Sequence, residues 1–315
     1  MRELRIVFMG TPEFAVNVLD GIIKEGYKVV GVITAPDKPA GRGRKLQESA
    51  VKKYAVEAGL KLLQPTNLKS PDFLKELEEI NPNVQVVVAF RMLPKAVWNL
   101  PEFGTFNLHA SLLPQYRGAA PINWAIMNGE TATGVTTFFL DEKIDTGEVI
   151  LQLGVPIEEN DTAGSLHDKL MTTGTKLVLA TLDQIKENTV KPLAQEEFAL
   201  LNEAPKLTKE NTRINWELPR KTIYNFIRGL DPYPGAWSEL EEDGKRSPVK
   251  IYSTAILDED SSLPAGTLLV DNKKLKVASK DGMLEILEIQ IPGKKKMRSR
   301  DLLNGYKFKA GAKLL

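Results

Sequence analysis

The 315-residue chain has no cysteine and only two histidines, His109 and His167. Without thiols it forms no disulfides and offers no thiolate metal ligands, which fits a reducing cytoplasm. Two histidines give no basis for a structural zinc site, so no metal is expected. Long apolar runs are missing too: none approaches the roughly 20 residues that span a bilayer. The opening stretch MRELRIVFMG enters a strand-like run at once, without the layout of a signal or transit peptide. The expectation is a cytoplasmic protein with no membrane partner. Excess charge of one sign is also absent. The 42 Lys+Arg and 41 Asp+Glu leave a formal net charge of +1, so bulk charge points to neither nucleic acid nor membrane. Finally, the first strand is followed by a single glycine, Gly10, where a dinucleotide fingerprint needs three. A nicotinamide cofactor is therefore not expected.

What is present is a regular alternation. RIVFMG (5–10), KVVGVI (28–33) and VQVVVAF (84–90) are short β-branched runs of the kind buried on both faces of a sheet. Helical patterns lie between them. Thr11 and Pro12 suit an N-cap and a first helical position, and Ser70 and Pro71 repeat the device. Phe73, Leu74, Leu77 and Ile80 then share one helical face. GVTTFFL (134–140) and VILQLGV (149–155) flank the turn DEKIDTGE, and a long helix is expected from about Ala163 to Glu187. His167 lies in that helix and reads as structural. After Lys191 the texture turns polar. Beyond it come a short helix, KTIYNFIRGL, a Pro/Gly/aromatic turn, DPYPGAW, and closely spaced short strands. The expected fold class is α/β. It comprises an N-terminal Rossmann-like, mostly parallel sheet with helices on both faces, and a small C-terminal OB-like β-barrel. The expected boundaries are a catalytic domain over 1–190, a linker over 191–212 and a second domain over 213–315.

Charge is unevenly distributed. Lys38, Arg42, Arg44, Lys45, Lys52 and Lys53 are offset nearby only by Asp37 and Glu48, and residues 292–315 contain one acid, Asp301. Such runs are usually solvated surface. On a nearly neutral chain they are also two places able to guide a polyanion.

The stretch NLHASLLPQYRGAAP (107–121) holds the first of the two histidines. FGTFNLH alternates as a strand does, which puts Asn107 and His109 on one face. A proline-rich loop follows, so the pair sits at the carboxyl end of its strand, where open α/β sheets bind ligands. A buried Asn/His pair bonded to backbone explains the residues equally well. Ser111 is not a serine-hydrolase nucleophile, because there is no Gly-x-Ser-x-Gly elbow around it. Arg117 and Gly118 read as a turn.

This stretch, with DEKIDTG (141–147) some two dozen residues later, resembles the 10-formyltetrahydrofolate-dependent formyltransferases. The shared elements are Asn-x-His, a Ser-Leu-Leu-Pro loop, and Asp before Thr-Gly. FMGTPEFAV, APDKPAGRGRKL, APKLTKENTRINW and FIRGLDPYPGAW resemble the branch of that family that acts on tRNA. The resemblance runs from the first strand into the C-terminal domain. It implies transfer of a formyl group from 10-formyltetrahydrofolate, a cosubstrate, to the α-amine of methionine on initiator tRNA, in support of translation initiation. Asn107 and His109 would then donate hydrogen bonds to the oxyanion, each worth roughly 3–4 kcal/mol in comparable sites. Asp145 would be the carboxylate that tunes His109 for proton traffic; on local sequence alone it is a turn residue bonding its own backbone. The resemblance places the folate beside Ser111, Leu112, Leu113 and Pro114. Backbone around Phe90 to Leu93 would grip the pterin, and the Asp141–Asp145 turn would close over it. Arg42, Arg44 and Lys45 would enter the acceptor end of the tRNA, with Lys206, Lys209 and the Lys294–Arg300 run on its body; as single residues the last groups read equally well as plain surface. A monomer is expected. Relatives formylating amino-sugar nucleotides or glycinamide ribonucleotide, or hydrolysing formyl-folate, would share the same three residues. A non-catalytic RNA-binding protein is the reading from another class, and it would have no use for them.

Overall fold

The computed structural model describes residues 1–40, 45–196 and 200–315. By contacts the chain forms two units. The first comprises 1–117, 133–155 and 167–202; the second comprises 118–132, 156–166 and 203–315.

The first unit is built on a seven-stranded sheet. Its strands are β1 (Arg5–Gly10), β2 (Lys28–Ile33), β3 (Leu62–Leu63), β4 (Val84–Val88), β5 (Thr105–His109), β6 (Ala132–Phe139) and β7 (Val149–Pro156). Their order is β7-β6-β5-β4-β1-β2-β3. β3, β2, β1, β4 and β5 run parallel, and β6 joins β5 antiparallel. Helix α1 (Glu13–Lys24) follows β1, capped by Pro12 rather than by Thr11 as the sequence suggested. Helix α2 (Pro71–Ile80) starts at Pro71 with Ser70 as its cap. Phe73 and Leu77 of α2 pack with Val7, Met9 and Val87 of the sheet. Helix α3 spans Ala163–Glu187, and its Gly174 lies against Leu108. A Cβ there would come within 2.8 Å of the Leu108 Cδ2, so only glycine lets the helix approach β5 this closely. Leu108 faces α3, and strand alternation therefore turns Asn107 and His109 to the other face.

The second unit is a curled antiparallel sheet around its own apolar core. Its strands are β8 (Ala236–Glu242), β9 (Lys245–Ile256), β10 (Leu268–Asp271), β11 (Lys274–Ser279), β12 (Gly282–Gln290) and β13 (Lys313–Leu314), ordered β10-β11-β12-β9-β8-β13. β13 pairs with β8 on one side, and Lys313 bridges Thr267, just before β10, on the other. That bridge closes the sheet on itself, which leaves no long open edge. Helix α4 (Arg220–Arg228) contributes Ile223 and Ile227 to the core. β8 begins inside the stretch read from sequence as a turn, because Ala236 already alternates inward with Ser238 and Leu240. No helix among the described residues is long and apolar enough to cross a membrane.

Candidate active site

β5 lies between β4 and β6, with Asn107 opposite Val87 and Phe138, and His109 opposite Thr136. Both residues stand at the carboxyl end of the parallel strands. His109 is 6% exposed. Its Nε2 is 2.8 Å from the carbonyl oxygen of Tyr116. A carbonyl can only accept, so Nε2 carries a proton and donates it. Nδ1 is then the nitrogen not committed to that bond. It faces Asp145, 3.8 Å from Oδ2, an ion-pair separation that a small closure brings to hydrogen-bond length. The Asn107 amide is half-buried and, among the described residues, has no hydrogen-bond partner.

Asp145 sits in the turn between β6 and β7 with φ 55°, a left-handed conformation uncommon outside glycine. Asp141 shapes the start of this turn. Its carboxylate is exposed and accepts from the Lys143 backbone N–H (2.9 Å) and the Thr146 hydroxyl (2.8 Å). At the other end, the Gln195 amide donates to the carbonyls of Asp145 (3.0 Å) and Gly147 (2.8 Å).

The loop after His109 is braced from β6 and β7. The Thr136 hydroxyl donates to the Ser111 carbonyl (2.6 Å) and accepts from the Leu113 N–H (3.1 Å). Gln152 donates to the Leu113 carbonyl (2.8 Å). Ser111 is fully buried and its hydroxyl is donated to the Gln115 carbonyl (2.6 Å), so it shapes the loop and its side chain is turned inward. Leu113 and Pro114 are buried and joined by a cis peptide; Leu112 is half-buried. Past β4, Ala89 takes φ 47°. Leu93 is buried in the core against which Phe90 packs, so the Leu93 side chain faces inward and Phe90 is partly covered. Arg91 donates to the carbonyls of Pro65 and Thr66. An unpaired amide donor thus stands two residues along the strand, on the same face, from an imidazole whose Nδ1 faces a carboxylate. Donors so placed stabilise negative charge developing on a carbonyl oxygen, while the imidazole–carboxylate pair moves a proton.

A sequence profile described as "Formyl transferase" matches residues 4–182, and one described as "Formyl transferase, C-terminal domain" matches residues 206–307. The chain belongs to the formyl transferase family. It is 55% identical over 317 residues to the methionyl-tRNA formyltransferase of Bacteroides thetaiotaomicron, covering 99% of this chain and 98% of that protein. It is 55% identical over 314 residues to the protein of the same name from Flavobacterium johnsoniae, covering all of both chains. Its fold is similar to that of the N-formyltransferase from Helicobacter canadensis solved with folinic acid and dTDP-3-aminofucose. The TM-score there is 0.67 at 23% identity, covering 90% of this chain and 98% of that one.

Of the basic residues singled out in this formyl transferase, Arg42 and Arg44 lie outside the described residues. Lys45 opens Lys45–Gln47, which pairs antiparallel with Lys38–Ala40. The strand pair is braced where it begins and ends. Lys52 reaches Asp37 (2.5 Å) and Glu48 (2.9 Å), and Gln64 donates to Asp37. Hydrogen bonds from Lys52 and Gln64 hold the Asp37 carboxyl below the usual carboxylate range. A lowered pKa keeps the brace charged through the ordinary carboxylate range, and the brace is lost only as pH falls through the lowered value. In the second unit Lys206 and Lys209 are exposed, with the Lys209 ammonium 5.1 Å from the Trp237 ring centre. His167 stands edge-on to Phe14 at 5.3 Å, with Nδ1 3.0 Å from Asp168. No group of three or more His, Asp or Glu among the described residues is placed to hold a metal ion. Sequence reading missed Tyr116, whose carbonyl fixes the His109 ring, together with Arg117 and Gln195. A backbone carbonyl has no residue-type signal, and Gln195 is 50 residues from Asp145.

Proposed function

We propose that this protein transfers the formyl group of 10-formyltetrahydrofolate to the α-amine of methionyl initiator tRNA. The observation that carries the acceptor is the end-to-end similarity to relatives bearing that activity's name. The transfer is supported by the shared strand face of Asn107 and His109 and by the 3.8 Å separation of His109 Nδ1 from Asp145. In this reading the amine nitrogen attacks the formyl carbon and the carbonyl π electrons move onto oxygen. The Asn107 amide and a protonated His109 Nδ1 donate to that oxygen. The C–N10 bond then breaks as the Nδ1 proton passes to the folate nitrogen, and the neutral Nδ1 left facing Asp145 takes the proton that the amine gives up. A free α-amine titrates near pH 8, so such a proton acceptor matters at neutrality. The folate would lie along the Ser111–Pro114 loop and the backbone from Phe90 to Leu93, under the Asp141–Asp145 turn. Arg42, Arg44 and Lys45 would meet the acceptor end of the tRNA, and Lys206 and Lys209 its body.

The test is formyl transfer by the wild type to methionyl initiator tRNA, to an amino-sugar nucleotide and to water. The tRNA should be the substrate consumed by orders of magnitude more efficiently. Arg42→Ala should raise KM for tRNA with kcat little changed, and lower the salt dependence of binding, as loss of one phosphate contact does. Turnover of the folate with indifference to the tRNA would move the acceptor to a sugar or to water.

A further inference from the structure

We infer that Gln195, oriented by Arg117, is a positioning residue that sets the Asp145 carboxylate opposite His109. The inference rests on the reading of Asp145 as the carboxylate partner of His109.

Gln195 uses its whole hydrogen-bonding capacity here. Its Oε1 accepts from Arg117 Nε (3.1 Å) and Nη2 (2.6 Å), and its Nε2 donates to the carbonyls of Asp145 and Gly147. A guanidinium has only donors, so it forces the amide oxygen toward itself and turns both Nε2 hydrogens to the turn. The two carbonyls bracket Thr146, and one of them belongs to Asp145 itself, held at φ 55°. A non-glycine residue persists in that region where its surroundings hold it there, and Gln195 supplies such a hold. Nearby, Ile144 is 60% exposed, so apolar packing of its side chain does little to fix the turn. Gln195 is itself registered two residues earlier, where Leu193 and Val149 exchange both backbone hydrogen bonds (2.8 and 2.9 Å).

The chain order makes the arrangement functional. Tyr116 accepts from His109 Nε2, and the next residue, Arg117, orients Gln195. Two consecutive residues therefore set both partners of the Nδ1–carboxylate pair: one aims the ring, the other, through Gln195, holds the backbone that carries the carboxylate. A misplacement of about 1 Å in such a pair costs about 100-fold in rate.

The experiment uses the full chain, 10-formyltetrahydrofolate and methionyl initiator tRNA. It compares Gln195→Leu, Arg117→Met, Asp145→Asn and the double variant Gln195→Leu/Asp145→Asn, each confirmed folded by near-UV circular dichroism. Gln195→Leu should lower kcat about 10- to 100-fold with KM for both substrates within about twofold, and Arg117→Met should follow it. In the Asp145→Asn background, Gln195→Leu should change kcat by less than about twofold, because residues acting as one unit are not additive. Wild-type kcat in Gln195→Leu, or losses that multiply in the double variant, would overturn the inference while leaving Asp145 in its role. Wild-type kcat in Asp145→Asn would remove that role and the inference with it.

Discussion

His109→Ala lowers kcat for formyl transfer by about 10²–10⁴-fold, the range for loss of a positioned acid–base group, with KM for the folate nearly unchanged. The expectation follows from which nitrogen is free. Nε2 is committed to the Tyr116 carbonyl at 2.8 Å, so all proton exchange falls on Nδ1, which faces Asp145. Alanine removes both nitrogens and leaves a carboxylate with no base beside it. Asn107→Leu removes the one amide donor on the same strand face and should cost about 10²–10³-fold in kcat, as loss of a single oxyanion donor does. The two variants separate by rescue. Added imidazole should restore part of the activity of His109→Ala and none of Asn107→Leu, measured as formyl-methionyl-tRNA formed per unit time. A His109→Ala enzyme within tenfold of wild type would mean that the substrate amine loses its proton by another route.

The second large effect is expected at a residue with no side chain of its own. Gly147→Ala places a Cβ 1.7 Å from the Phe139 carbonyl oxygen and 2.9 Å from its carbon. That carbonyl belongs to β6, and the Phe139 N–H donates to Glu148 at 2.9 Å. The two chains are locked together where the new methyl must go, so the turn from Asp141 to Gly147 has to move. Overpacking of this kind costs about 1–3 kcal/mol, read as a lower melting temperature. The displaced turn also carries Asp145 and one of the two carbonyls held by Gln195, so kcat should fall at least as far as in Asp145→Asn. Gly305→Ala is the control: nothing lies within 4 Å of its added Cβ, and it should leave both measurements unchanged. A Gly147→Ala protein with wild-type melting and turnover would show that the turn tolerates displacement and that the placement of Asp145 is not critical.

Much of the first unit was legible. The β-branched runs at 5–10 and 28–33 are strands at those residues, and the Ser70–Pro71 signal begins a helix at Pro71. These elements are determined locally, by side-chain period and by the few residues that start a helix. The run at 84–90 stops two residues early, at Val88, because Ala89 turns left-handed. Strand β8 was missed for another reason: AWSELEE buries one face only, and its polar face resembles the turn before it.

The chain alone determined the residue types of the site. Asn107 and His109 share a face because a strand alternates every second residue, and their motif together with Asp145 carried the family. Tertiary structure decided which nitrogen of His109 faces Asp145, what holds the Asp145 backbone, and how the second sheet closes. Each of those rests on backbone carbonyls or on pairs 40 to 80 residues apart in sequence: Tyr116 on His109 through a looped-back chain, Gln195 on Arg117 and Asp145, Lys313 on Thr267. Every residue has a carbonyl, so nothing in residue type marks the one that will be used; only the folded path of the chain selects it.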